Sequence, residues 1–342
     1  MVNLLAFPRV ILHIDRSSPH SFSHAMTLRI VPVEIVEYRG WKNNLRLANN
    51  EVELIATLDV GPRVLAFRTL GGFNVMKNYE AMMGKVGEPE WQLRGGHRFW
   101  LAPEDLTRTY FPDNRPVKHE SLGGEAVRLI PPPEDEYGVQ KEMILRLAAK
   151  GARVEVTLKV TNIGKEPTEL APWGPTVMAP GGIEIIPLPP MAPHPGHPSN
   201  ARSPADYAPN QELILWPYFD FADTRWTFGR KYIFLRQDVN KGPTKIGLAH
   251  RMGWVAYLNS HTLFVKRFDY REGAIYPDRG TRYQTFSYEE MLEMETVGEL
   301  VTLQPGQSTE LHESWELHAN VPNIANEDDV DRVILPLIEA AR

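Results

Sequence analysis

The 342-residue chain has no cysteine. Disulfides, thiolate metal sites and a cysteine nucleophile are therefore excluded, and the composition fits a reducing, cytoplasmic setting. No run approaches the roughly 18 apolar residues needed to cross a bilayer, so no membrane partner is expected. Positive charge is not in excess: 37 Lys and Arg stand against 43 Asp and Glu, a net charge of −6. A chain of that balance has no bulk field with which to gather nucleic acid. Also missing are a dinucleotide fingerprint, a phosphate loop, a His-Glu-x-x-His pair and a Gly-x-Ser-x-Gly elbow, and no cofactor is expected. His194 and His197 flank Pro195-Gly196, but no third ligand lies nearby in sequence, so the pair reads as an exposed loop and no metal is expected.

What is present is mostly strand. Val33–Tyr38, Glu51–Thr57 and Val64–Arg68 alternate with a period close to two, punctuated by Gly40, Gly61-Pro62 and Gly71-Gly72. Asn43, Asn44, Asn49 and Asn50 read as turn formers. Met143–Leu147 and Val154–Val160 read as hairpin partners across Gly151, with Glu155, Thr157 and Lys159 on a solvated face. Leu170–Gly182 and the Pro-rich span to Pro198 exclude a long helix. Strands recur through residues 211–270 and again through 281–317. Helix cues are confined to a turn near Ala81-Met82-Met83 and to the end of the chain, where Asn326 caps an acidic first turn ahead of Ile334, Leu335 and Ile338. The expectation is an all-β fold, a single large antiparallel sandwich over residues 26–320. Residues 1–25 make a poor signal peptide and read as a flexible arm or an extension upstream of the natural start; residues 321–342 form a tail with a short helix.

Three stretches carry candidate chemistry. Gly95-Gly96-His97-Arg98-Phe99-Trp100-Leu101-Ala102-Pro103-Glu104 places a histidine after two glycines that tolerate close backbone approach. Its plainer reading is a turn leading into a buried strand. Thr107–Pro116 is a loop holding Tyr110 and Phe111, suited to lining a sugar-sized cleft or to anchoring itself at the surface. Residues 211–270 include Trp216-Pro217-Tyr218-Phe219-Asp220, Arg225-Trp226 and the cation pair Lys266-Arg267 at a strand end. Leu292-Glu293-Met294-Glu295-Thr296 alternates, which sends Glu293 and Glu295 to one face. Two enclosed carboxylates raise each other's pKa toward the range of a working acid or base; on an open face they are merely solvated.

Together, Gly95–Trp100, Pro172-Trp173 with Met178–Gly182, Trp216-Pro217-Tyr218, Lys266-Arg267-Phe268, Tyr276–Gly280, Leu292–Thr296, Leu303–Gly306 and Trp315-Glu316-Leu317 resemble a bacterial family of unknown function. That family is placed with the galactose mutarotase-like proteins, and the resemblance covers about residues 30–318. It implies a β-supersandwich with a carbohydrate-binding face and a sugar or sugar-derived ligand. Aldose and hexose-phosphate epimerases of that group use a histidine acid and a glutamate base. Carried over, these roles fall on His97 and on Glu293 or Glu295, with Glu104 and Asp220 in reserve. No second histidine matches; Trp173 and Gly174 stand in its region. Trp100, Trp173, Tyr218 and Trp226 are expected platforms for a sugar ring, and Arg98, Arg225, Lys266 and Arg267 expected donors. The rival expectations are a non-catalytic carbohydrate-binding or structural sandwich, and a glycosidase pairing Glu104 with a late glutamate.

Overall fold

Alternation along the chain sorts the strands into layers. In Arg153–Asn162, Val154, Val156, Leu158 and Val160 are buried while Arg153 and Glu155 are exposed. Its neighbours are Val139–Leu147 on one side and Ser308–His318 on the other, both antiparallel, with Leu147 opposite Val154. The computed structural model describes residues 33–123 and 126–340. The arm expected at 1–25 lies outside the described residues.

Among the described residues two antiparallel sheets, one of twelve strands and one of ten, form the sandwich. The centre of the larger sheet runs Gly96–Arg98, Thr168–Met178, Met291–Val297, Tyr283–Tyr288, Thr244–Leu248. The centre of the smaller runs Ile183–Pro187, Trp254–Asn259, Thr262–Arg267, Ser308–His318, Arg153–Asn162. The main core fills the space between the sheets. Phe67 of the larger sheet meets Phe264 and Trp315 of the smaller at 6.4 and 6.3 Å between ring centroids.

The outer faces differ. On the smaller sheet, Ile185, Phe234, Trp254 and Val265 pack against Val330, Ile334 and Ile338 of the C-terminal helical segments. These segments run through Glu327–Asp329, a wider π-type turn at Val330–Ile334, and Leu335–Ala340. Asn326 Oδ1 accepts from Asp329 N at 3.0 Å. On the larger sheet the outer face carries an aromatic cluster instead, built around Trp100 and Trp173 with Trp91 and Tyr110 against it.

One local expectation needs correcting. Asn43 and Asn44 lie inside the strand Trp41–Ala48, and the turn before it is made by Arg39 and Gly40 with positive φ. Asn44 is buried there because its amide donates to Val36 O and Trp41 O. The Pro-rich segment at 170–180 is a central strand, Thr168–Met178. Proline lacks a donor and is rare at such positions. Pro172 falls where the partner changes from Val301–Leu303 to Met291–Val297. Pro175 falls between the segments paired with Trp100–Ala102 and with Gly96–Arg98. Each proline thus meets a gap in the ladder on one side, while on the other Pro172 stands opposite Leu101 and Pro175 opposite Glu295.

Candidate functional site

Gly95 and Gly96 bring the central strand into place. Both have positive φ, and a Cβ on either would stand 2.1 Å from a carbonyl oxygen, of Lys77 and Val64 respectively. Only glycine allows that approach. The next two residues then face opposite ways, as strand geometry requires.

His97 faces inward, between the sheets. It is fully buried, its Nδ1 lies 2.9 Å from Thr176 Oγ1, and its ring meets Trp315 edge-on at 4.7 Å. Lys266 lies in the same layer and donates to Gly174 O, Thr176 Oγ1 and Met294 O at 2.7 to 3.0 Å, with Glu313 Oε1 at 3.2 Å. Glu313 also accepts from Thr296 and from the Trp315 indole. A Cβ at Gly174 would come within 2.4 Å of Glu313 Oε1, so the glycine makes room for the carboxylate. Burial, and then the charges of Lys266, Arg98 and Arg63, hold His97 well below the ordinary imidazole range. It is a neutral core residue near neutral pH.

Arg98 faces outward. Its guanidinium lies 2.7 Å from Glu293 Oε1, 3.9 Å from the centre of the Trp100 ring and 5.6 Å from that of Trp91. Across the sheet, Lys245 reaches both oxygens of Glu295 at 3.1 and 3.3 Å and sits between the rings of Trp173 and Trp216, at 5.1 and 4.9 Å. Trp100 and Trp173 are cross-strand partners with centroids 5.1 Å apart, and Trp100 touches Trp91 and Tyr110 at 5.2 and 5.0 Å. The result is a rail of aromatic rings and cations running across the strands. Glu293 and Glu295 project beside it from Met291–Val297, opposite Phe286 and Gln284.

Tyr218 closes the arrangement. Its half-exposed ring meets Phe286 edge-on at 6.3 Å, and burial first, then the charges of Glu295, Glu104 and Glu293, raise its phenol above the ordinary value. Glu104 also accepts from the Tyr110 hydroxyl. Burial is the main reason the Glu295 carboxyl is pushed up to about 7; Lys245 opposes the shift and Glu293 adds to it. Arg98 Nε and Nη1 and the indole nitrogens of Trp91, Trp100 and Trp173 are buried donors without a protein partner among the described residues. Rings with free donors beside carboxylates suit a ligand with both C–H faces and hydroxyls. Among the described residues no group of three or more His, Asp or Glu side chains is arranged to hold a metal ion.

Arg98, Trp100, Glu104, Trp173, Tyr218, Glu293 and Glu295 thus meet on one face. The other expected site residues lie elsewhere. His97 and Lys266 are beneath the sheet. Arg267 is on the outer face of the other sheet, paired with Glu316 and donating to Ile338 O at 2.7 Å, where it ties down the C-terminal segment. Arg225 is consumed by Asp223 and Gly242 O within a turn. Trp226 is core, its indole donating to Thr244 Oγ1. Asp220 is exposed and accepts from Ala222 N. Lys245, Trp91 and Gln284 are additions. Lys245 had a signal, a lone charge alternating with Ile246 and Leu248 in a strand.

The architecture is the galactose mutarotase-like fold. A galactose mutarotase-like protein from Lactobacillus casei superposes with a TM-score of 0.51 at 10% identity, over 81% of this chain and 100% of its own. The Slr1438 protein from Synechocystis gives 0.55 at 10% identity, over 84% and 99%. A TPR-domain containing protein from Parabacteroides distasonis gives 0.55 at 14% identity, over 82% of this chain and 48% of its own. No protein-family model matches the sequence, and no curated protein does.

Proposed function

We propose that the outer face of the twelve-stranded sheet binds a carbohydrate, and that Glu293 and Glu295 there exchange the anomers of an aldose. The observation that carries this is the side-by-side pair, Glu293 against Arg98 and Glu295 against Lys245, beside an aromatic rail with unpartnered indole donors. Ring opening needs a proton delivered to the ring oxygen and another removed from the anomeric hydroxyl. Both oxygens sit on one carbon, so two neighbouring carboxyl groups suffice if one is protonated. Glu295, at about 7, supplies the proton, and Glu293 accepts the other. His97 takes no part, being on the far side of the sheet. The fold shared with a galactose mutarotase-like protein supports the ligand class.

A second reading, sugar binding without catalysis, is favoured by the burial of both glutamates, which have only 5% and 1% of their surface exposed. Polarimetry on a panel of aldoses, with calorimetric binding in parallel, separates the two. The expected result is accelerated anomer exchange that declines as pH rises through about 7, when Glu295 loses its proton. Glu295→Gln should lower the rate by roughly 100-fold or more and leave binding nearly intact, whereas Arg98→Met should weaken binding itself. Binding without acceleration would leave the second reading; no binding of any aldose by the wild type would overturn both.

A further inference from the structure

The aromatic rail does not end at Lys245. Trp216 continues it, and beyond Trp216 opens a cleft of about 530 Å³ lined by Pro217, Asp278 and Arg279. That is within the roughly 300–1,000 Å³ of ordinary small-ligand sites. Two features look built for it. The first is Gly247, on whose outward side a Cβ would stand 3.1 Å from the Trp216 ring and 2.4 Å from Thr281, so the missing side chain is what lets the indole lie along the sheet. The second is the turn at Pro277–Gly280. Asp278 has φ 50° and Arg279 φ 65°, both left-handed, and Gly280 follows at 98°. Two successive non-glycine residues in that region are costly, and such strain persists only where the surroundings enforce it. Here Gln284 donates to Asp278 Oδ2 at 2.7 Å, and Thr281 N returns to Pro277 O at 2.9 Å. Gln284 is also the cross-strand neighbour of Glu295. The strained turn is thereby joined to the carboxylate pair, and it carries the exposed Arg279 to the rim of the cleft.

We propose that this cleft is a second sugar subsite, so that the ligand is a glycan of two or more rings, with its terminal ring at Glu293 and Glu295 and the next stacked on Trp216 within reach of Arg279. This rests on the sugar-binding reading of the adjoining face. The site takes the end of a chain because the rail is closed at its other side by Trp91 and Tyr110, which pack edge-on at 5.3 Å.

Calorimetric titration with galactose and galacturonate, and with the di- and tetrasaccharides of each, tests the proposal. The wild type should bind a disaccharide about tenfold or more tightly than its monosaccharide, equivalent to ~1.4 kcal/mol, with little further gain at the tetrasaccharide. Trp216→Ala and Arg279→Ala should each remove that gain, and Arg279→Ala should leave monosaccharide affinity unchanged; among the described residues the Arg279 side chain makes no hydrogen bond or ion pair with the fold, so its variant is the one least exposed to misfolding. Equal affinity for mono- and disaccharide in the wild type, or a gain that survives both substitutions, overturns the second subsite while the sugar-binding reading stands. Failure to bind any of the probes overturns both.

Discussion

The two sides of the twelve-stranded sheet hold nearly the same chemistry to different ends. Beneath it, Lys266 and Glu313 are fully buried, and Lys266 has three further oxygen acceptors besides the glutamate. Above it, Lys245 and Glu295 are also buried, yet the lysine's other neighbours are the faces of two tryptophans. The inner pair is saturated with protein partners and clamps one sheet to the other. The outer pair is backed by Trp216 and by Trp173, and the buried Trp173 indole donor has no protein partner among the described residues. A buried ion pair is therefore not by itself a sign of function; what distinguishes the outer one is the unsatisfied surroundings.

The largest consequence is in stability. Lys266→Met strands Glu313 between the sheets, and breaking a pair of that kind costs ~3–5 kcal/mol. Lys245→Met should cost distinctly less, because Glu295 already titrates at about 7 and takes up a proton when the cation is removed. Urea unfolding of the two variants at neutral pH measures the difference. Equal destabilisation would erase the distinction between the two sides.

How far these faces could be read in advance follows from the same rule. The period-two runs specify strands throughout, and alternation alone puts Glu293 with Glu295 and separates His97 from Arg98. It does not say which face meets the second sheet. That depends on packing between strands far apart in sequence, such as Trp315 under His97. Lys266 and Arg267 were ambiguous for the same reason. Arg225 and Asp220 sit in turns, where no period exists to orient a side chain. Trp91, between Glu90 and Gln92 in a segment outside regular structure, offered no pattern at all. Lys245 had only the signal of a lone charge in the strand Thr244–Leu248.

A second contrast concerns protons. Glu184 projects into the inter-sheet layer, accepts from Tyr283 and Thr285, and is driven up to about 8, chiefly by burial. Glu295 reaches only about 7 because Lys245 is at hand. A carboxyl raised in the folded state binds its proton more tightly there than in the unfolded chain. Its contribution to stability is thus complete below about 4.5 and falls as pH rises to the folded value, levelling beyond it. Between pH 5 and 8 the wild type should lose on the order of a few kcal/mol through Glu184. Glu184→Gln should flatten that slope; Glu295→Gln should flatten it less and only up to about pH 7. Denaturation curves across this range would contradict the assignment if the Glu184→Gln slope matched the wild type.

The smallest expected effect is the sharpest discriminator between the two sides. His97 is the next residue to Arg98, and by sequence alone it is the obvious acid. Its ring nonetheless packs on Trp315 and Thr176 beneath the sheet, and burial keeps it neutral. His97→Gln retains a group able to bond Thr176 and nearly fills the same volume. It should lower stability measurably, since it removes a ring from a tightly packed layer, but it should change affinity for a sugar on the outer face by less than about twofold, the scatter expected of independent sites. It should also leave any anomer exchange with the same decline through about pH 7, because that decline belongs to Glu295. The measurement is the pH profile of polarimetric rate for His97→Gln beside Arg98→Met, with unfolding curves confirming that both fold. A His97→Gln variant that is folded, binds sugar normally and has lost its rate would return the histidine to the chemistry, and would require the ligand to reach the layer between the sheets.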